Sequence, residues 1–366
     1  MSQGKLAAMS GVRNIEIREY PLPTPASGQV LMQVSKANIC GSDIHMWEGK
    51  HIFRDHVMGH EMTGVIQELG EGVTTDSAGT PVQPGDRIVP VYYQTCRRCA
   101  ACTQGLFNIC ERGSDFMGAP AANAPHFTGG FATHYVVQAD QYFYKVPDAV
   151  SDAVAAGANC GFAQMLYVMD QCGPLGGRTV VVQGAGGVGL FTSAIASLMG
   201  ATVVVIDSVA VRLQEALRFG ASHVINMVDV PTMEGRALKV AELTGSAPDV
   251  VVDVTGVPAA LNEAIRLVRL GGQVVEVGSV SVDESQSVSI LPGLITRKCL
   301  TVRGTLRYQP WYLLRALNLL AAEGHRFPFE TLTDRVYTLA ETQLAMERAA
   351  NREVARAIIE PNAVNA

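Results

Sequence analysis

Basic charge is in short supply in this chain. Lys and Arg number 28 against 34 Asp and Glu, a net charge of −6 over 366 residues. A nucleic-acid partner is recognised by a clustered basic face, and none is present to meet one. No leader is expected either. The opening "MSQGKLAAMS" has no apolar core of the roughly 7–15 residues that a signal peptide carries. The uncharged run from Thr179 to Ile206 reaches membrane-spanning length. Six of its residues are glycine or glutamine and β-branched blocks sit at both ends, so it reads as a buried strand, helix and strand. No repeat of solenoid period and no low-complexity linker occurs. The expectation is a cytoplasmic globular protein with no membrane partner. Cysteine, by contrast, is plentiful: in that compartment eight residues read as thiols or metal ligands rather than disulfides.

The length suits two domains of about 100–200 residues each. In the first 150 residues "GQVLMQVSKANIC", "MTGVIQELG" and "TPVQPGDRIVPVYY" are strand-like runs punctuated by Gly and Pro, with no long amphipathic helix between them. A β-rich module follows from that texture. After Asp148 it changes. "RTVVVQGAG", "ATVVVIDS", "ASHVINM", "PDVVVDVTG", "GGQVVEVGS" and "CLTVRGT" alternate with helical pieces such as "VAVRLQEALRFG" and "PAALNEAIRLVRLGG". Such alternation predicts βαβ units and a parallel sheet, hence an α/β class overall. Past Gly304 an amphipathic helix, "YQPWYLLRALNLLAAEG", and the short strands "TDRVYTL" and "EVARAIIE" fit a return to the first module. The expected boundaries are 1–161 with 303–366 for the β-rich domain and 162–302 for the α/β domain.

"VVVQGAGGVGL" sets Gly184, Gly186 and Gly189 in G-x-G-x-x-G register straight after a strand. Glycines there permit a tight turn, close approach of backbone to a pyrophosphate, and close helix–strand packing. The motif has its context: an apolar helix follows, and the next strand ends in Asp207, 18 residues past Gly189. A carboxylate at that place accepts from the adenosine ribose hydroxyls and repels a 2′-phosphate, favouring NAD over NADP. Arg212, five residues further on, pulls the other way, since an arginine can meet a phosphate or stack on adenine. The competing reading is an ordinary α/β turn with an exposed aspartate.

The β-rich part holds "ANICGSDIHMWEG" and "VMGHEMTG". Cys40 offers a thiolate, His60 an imidazole and Glu61 a carboxylate. Two sulfurs and one histidine with an open fourth position form a known catalytic zinc arrangement. A second sulfur has to come from far along the chain. Cys160, in "ANCGFAQ", stands where the two modules meet, and the expectation places it at an interdomain cleft; taken by itself it reads better as a buried free thiol.

These motifs, "CGSDIH", "GHEMTG", a four-cysteine run, "NCGFAQ" and "GAGGVG", come in order over nearly the whole chain, which resembles the zinc-dependent medium-chain alcohol dehydrogenases. Within them, "TTDSAGTPVQPGDRI", "ANC" and the late "RFPF" are similar to the 5-exo-alcohol dehydrogenase branch. The resemblance implies a GroES-like catalytic domain and a Rossmann doubly wound coenzyme domain. It makes Cys40, His60 and Cys160 ligands of a catalytic zinc, with Glu61 able to enter the coordination shell. Asp43 then fixes the tautomer of His60. Ser42 and His45 match the proton relay, and His45 alone would read as a plain surface histidine. Gly187, Val188 and Gly278 join Gly184, Gly186, Gly189, Asp207 and Arg212 as implied cofactor contacts. The implied activity is reversible hydride transfer between a secondary or cyclic alcohol and NAD, in a homodimer or homotetramer. Polyol- or aldehyde-active members, a zinc-free reductase and a non-catalytic NAD-binding relative are the alternatives. Two positions depart from the family pattern. Gly41 replaces a basic residue that grips the pyrophosphate, leaving Arg356 as a substitute, and Gln164 replaces a small hydroxyl residue beside the nicotinamide. Trp47, Tyr92 and Phe116 are candidate pocket walls or ordinary core.

"CRRCAACTQGLFNIC" spaces Cys96, Cys99, Cys102 and Cys110 as C-x2-C-x2-C-x7-C. A thioredoxin-like pair belongs beside a βαβ unit, not in a turn-rich β region. A ferredoxin run places its fourth cysteine after three residues and before proline. A closed tetrahedral zinc, structural rather than catalytic, fits the spacing. Two zinc ions per chain are therefore expected, with Cys172 and Cys299 left without a role.

Overall fold

The structure, a computed structural model, describes residues 2–51, 53–280, 284–333, 335–351, 353–354 and 356–363. It divides into two compact units, Met1–Ala163 with Gln309–Ala366, and Gln164–Tyr308.

The first unit opens with an antiparallel pair, β1 (Gln3–Gly11) and β2 (Asn14–Pro21). Its larger sheet begins with β3 (Val30–Asn38), β4 (Glu61–Leu69), β5 (Arg87–Pro90), β6 (His134–Val137) and β7 (Phe143–Lys145). β3, β4 and β5 are the strand-like runs of the sequence, trimmed where glycine and proline end them, whereas β1, β2, β6 and β7 lie outside those runs. Val30, Met32, Val34, Met62, Ile88, Phe131 and Tyr135 build the core on one side. Leu6, Ala8, Phe127 and Val136 build a second cluster.

The second unit is a six-stranded parallel sheet of β8 (Thr179–Gln183), β9 (Thr202–Asp207), β10 (His223–Asn226), β11 (Val250–Asp253), β12 (Gln273–Glu276) and β13 (Thr301–Gly304). Every residue of β8 and β11 is buried, which is why they are near-continuous valine rather than alternating. Strand order is β10-β9-β8-β11-β12-β13, so the chain winds outward from β8 and then reverses at β11. Loops at such a reversal bind ligands in doubly wound sheets, and the glycine motif lies in the loop leaving β8.

The chain then returns to the first unit. Helix Trp311–Glu323 buries Leu313, Ala316, Leu317 and Leu320 along one side. Strands β14 (Arg335–Thr338) and β15 (Ala357–Glu360) complete the sheet order β14-β15-β3-β4-β5-β7, with β6 also on β3.

Register in this sheet gathers distant residues. Asn38 pairs with Glu61 on one side and with Ile358 on the other. Cys40, just past the end of β3, His60, just before β4, and Arg356, just before β15, therefore converge at one sheet end. Among the described residues no helix is long and apolar enough to cross a membrane.

Candidate active site

Cys40 is the N-cap of the short helix Gly41–Trp47. The Asp43 carboxylate accepts from the Cys40 backbone N–H at 2.9 Å through Oδ2, closing the first turn. Its other oxygen, Oδ1, is 3.1 Å from His60 Nδ1. Asp43 is fully buried, so the imidazole donates from Nδ1 and its Nε2 is left as the lone-pair nitrogen. Nε2 faces the Ser42 hydroxyl at 3.4 Å. His45 sits in the last turn of the same helix, half-buried, and among the described residues no hydrogen bond joins it to Ser42.

Cys160 arrives on a π-helical turn, Ala158–Phe162, buried throughout. Single π turns widen a helix and recur at functional sites. One donor atom each from Cys40, His60, Glu61 and Cys160 fall within 4.8 Å of one another. Ligands on a zinc tetrahedron stand about 3.3–3.8 Å apart, so two sulfurs and an imidazole here need only a small contraction. The electrostatics agree. The Cys40 thiol is held well below its ordinary range, chiefly by a hydrogen bond from Cys160 and despite burial. Cys160 is pushed well up as the donor of that bond and by burial. A half-buried and a buried sulfur sharing one proton leave a negative centre suited to a cation.

Glu61 is buried and pairs with Arg356, whose side chain is 11% exposed. Burial pushes the Glu61 carboxyl up to about 7, the arginine opposing it. Gly157 makes room for that arginine: a Cβ on it would lie 3.4 Å from Arg356 Nη2. The arginine considered as a pyrophosphate grip thus has a carboxylate partner inside the cluster. Tyr92 lies against His60 with ring centroids 5.1 Å apart. Trp47 is core, 3% exposed, and Phe116 packs edge-on to Tyr135. Of the three aromatic candidates, Tyr92 alone contacts a cluster residue among the described residues.

The second cluster is the lobe around helix Ala100–Thr103. Cys96, Cys99, Cys102 and Cys110 bring their sulfurs within 4.8 Å of one another. Backbone amides point inward: Cys96 N donates to the Cys110 sulfur and Cys99 N to the Cys96 sulfur, each at 3.3 Å. The amides of Cys102 and Glu111 draw the Cys99 thiol down to about 6, while burial pushes Cys102 up to about 12. An amide-lined cage of four sulfurs fits a dication that takes all four as thiolates.

In the second unit Gly184 has φ +104°, a conformation that disfavours a side chain, and a Cβ on Gly189 would fall 2.0 Å from the Gly184 carbonyl. Both motif glycines are thus dictated by geometry. Gly186 caps helix Gly187–Leu198, whose first turn carries Val188. Asp207 accepts from Ala185 N at 2.7 Å and Val209 N at 2.8 Å, tying the glycine loop to the end of β9. Arg212 stands in the first turn of helix Ala210–Arg218. Gly278 presses on the loop after β11, where a Cβ would meet Gly256 N at 2.5 Å. Gln164 donates to the Thr305 carbonyl at 3.3 Å. Cys172 is buried, donates to Val168 O and has its thiol raised to about 11 by burial; Cys299 is exposed with φ +52°.

Residues 26–148 match the alcohol dehydrogenase GroES-like domain family, and residues 187–322 the zinc-binding dehydrogenase family. The 5-exo-hydroxycamphor dehydrogenase of Pseudomonas putida is 32% identical over 95% of this chain and 96% of its own. The sorbitol dehydrogenase of Bacillus subtilis is 30% identical over 98% and 97%. Among solved structures, an alcohol dehydrogenase from Thermotoga maritima superposes with a TM-score of 0.92 at 25% identity, covering 99% of this chain and 100% of that one. A zinc-binding dehydrogenase from Sinorhizobium meliloti, bound to NADP, follows at 0.86 and 27% identity, with coverage of 99% and 100%. The chain belongs to the zinc-dependent medium-chain alcohol dehydrogenase family, with a GroES-like domain and a Rossmann-like sheet. It is an oxidoreductase acting on small molecules.

Proposed function

We propose that this protein transfers hydride reversibly between a secondary or cyclic alcohol and NAD, using one catalytic and one structural zinc per chain. The observation that carries the reading is the convergence of Cys40, His60 and Cys160 in one buried cluster, with Nδ1 of His60 already committed to Asp43. Zinc held there would act as a Lewis acid that lowers the pKa of an alcohol hydroxyl. NAD would supply the hydride acceptor.

The chain's own residues do the rest. Asp43 holds the His60 ring in the ligating tautomer. Ser42, 3.4 Å from that ring, takes the hydroxyl proton of the substrate. His45 lies three residues on in the same helix, hence on the same face, and would take the proton onward from Ser42 to solvent. Glu61, neutralised by Arg356, stands ready to occupy the fourth position when substrate leaves. In the second unit Gly184, Gly186, Gly187, Val188, Gly189 and Gly278 admit the dinucleotide backbone. Asp207 accepts from the ribose and disfavours a 2′-phosphate, with Arg212 beside the adenine. Cys96, Cys99, Cys102 and Cys110 hold the second zinc and fold their lobe around it.

Substrate class rests on the camphor-alcohol relative, and Cys160 rather than an acid at the distal position supports simple alcohols over polyols. Six cysteines serving as thiolates suit the reducing cytoplasm. A homodimer or homotetramer is supported by β13, the terminal strand of its sheet, all four residues of which are exposed. The test is a panel of bicyclic secondary alcohols, linear alcohols and polyols, each with NAD and NADP, followed by reduced-nicotinamide absorbance. The reading expects turnover on the bicyclic alcohols with NAD at the highest kcat/KM. Turnover confined to sorbitol-like polyols, or to NADP, contradicts it.

A further inference from the structure

Asn159 is fully buried beside Cys160, in a turn that otherwise carries only apolar residues and the thiol. Its side-chain amide donates twice: to the His60 carbonyl at 2.9 Å and to the Pro90 carbonyl at 3.2 Å. His60 is the ligand just before β4, and Pro90 ends β5, two residues ahead of the Tyr92 ring that lies on His60. One primary amide therefore ties together the segment bearing Cys160, the segment bearing His60 and the segment bearing Tyr92. The tied segments are remote in sequence, and the β4–β5 ladder is short: Gly64 and Val65 pair with Ile88 and Arg87, and Thr63 Oγ1 donates to the Ile88 carbonyl at 3.1 Å. Among the described residues no ladder pair of β4 with β5 reaches His60 itself. A planar two-donor group bridging two carbonyls supplies the missing constraint, and in a dry interior such bonds are strong and directional.

We propose that Asn159 is a positioning residue of the metal centre, clamping the backbone of His60 against the Cys160 turn so that sulfur and imidazole nitrogen stand at ligating separation. This rests on the reading that Cys40, His60 and Cys160 hold zinc. Two properties set it apart from filler. A leucine would occupy the same volume but donate to neither carbonyl, leaving both buried acceptors unmet. A serine would keep one shorter donor. The effect should centre on one site, because the carbonyls that Asn159 meets belong to His60 and Pro90, neither of them in the four-cysteine lobe.

The experiment follows zinc release from the full-length protein to a chromophoric chelator, together with the visible spectrum after cobalt replaces zinc. Wild type should release two ions in two phases, one per centre. In Asn159→Leu the catalytic phase should accelerate about 10–100-fold, the scale seen when partners of metal ligands are removed. The four-cysteine phase should stay unchanged and the cobalt bands of the sulfur–imidazole centre should shift. Asn159→Ser should fall between, and it carries the test if the leucine variant does not fold. Unchanged release and spectra in both variants overturn the clamp while leaving the zinc reading intact. Equal acceleration of both phases overturns it as well, since that reports loss of fold. A wild-type protein that releases zinc from the four-cysteine lobe alone overturns the zinc reading itself, and the clamp with it.

Discussion

At the scale of single residues, several side chains do two jobs with one group. Asp43 closes a helix turn with one oxygen and sets the tautomer of His60 with the other. Asp207 is similar. Its proposed preference for a ribose rests on a position, the end of β9, that was readable from the sequence. Its bonds to Ala185 N and Val209 N were not, because they depend on how the glycine loop folds back on β9. The double role sharpens a prediction. Asp207→Ser should raise the NADP-to-NAD ratio of kcat/KM at least about tenfold by removing a like charge worth roughly 1.4 kcal/mol or more. It should also weaken NAD binding through a loosened loop, seen as a raised KM for NAD in steady-state kinetics. A variant with unchanged cofactor preference argues against the aspartate as selector. The ligand types and their spacing were legible in the same way; Asn159 and the Glu61–Arg356 pair were not. Each joins residues about 100 or more positions apart, and no local pattern records such a meeting.

At the scale of elements, the alternation of valine runs with helices foretold the parallel sheet, because strands buried on both faces leave no choice but continuous apolar residues. The same rule marks an exception. Gln183, Asp253 and Glu276 end β8, β11 and β12 in register, a polar row on otherwise apolar strands. Asp253 is fully buried, and its carboxyl is raised from 3.8 to about 7 by burial, with Glu276 within hydrogen-bonding reach adding to the rise. Its folded pKa lies above its unfolded one, so the folded protein keeps a proton that the unfolded chain has lost. That contribution to stability is complete below about pH 4 and disappears as pH rises through about 7. Thermal or urea unfolding between pH 5 and 7 should therefore show a falling component, with a slope of up to about 1.4 kcal/mol per pH unit. Asp253→Asn should flatten it. A slope identical in the two proteins would remove this carboxyl from the account of stability. Among the elements that the sequence reading did not name are the helix at Cys40 and the π turn at Cys160. The first is only seven residues long and is held by Asp43. The second arises from tertiary demand on a helix that propensity alone would leave regular.

At the scale of the whole molecule, each of the two units offers what its architecture does well. A largely antiparallel sheet brings β3 and β4 beside β15, which lies hundreds of residues further along the chain, so ligands can be gathered at one sheet end. A doubly wound sheet offers a loop at its reversal point, fit for a dinucleotide. The return of the chain after Gln309 was visible as a change of texture past Gly304; that β15 would bring an arginine to the cluster was not. Metal content measured together with activity, in wild type and Cys40→Ser, bears most directly on this division of labour. Wild type should hold two zinc ions per chain. Cys40→Ser should remain folded, retain the single ion of the four-cysteine lobe, and lose alcohol oxidation by about a thousandfold or more, as expected when several kcal/mol of Lewis-acid stabilisation go. A variant with one zinc and wild-type turnover, or a wild-type protein fully active with the cluster of Cys40, His60 and Cys160 free of metal, would contradict it.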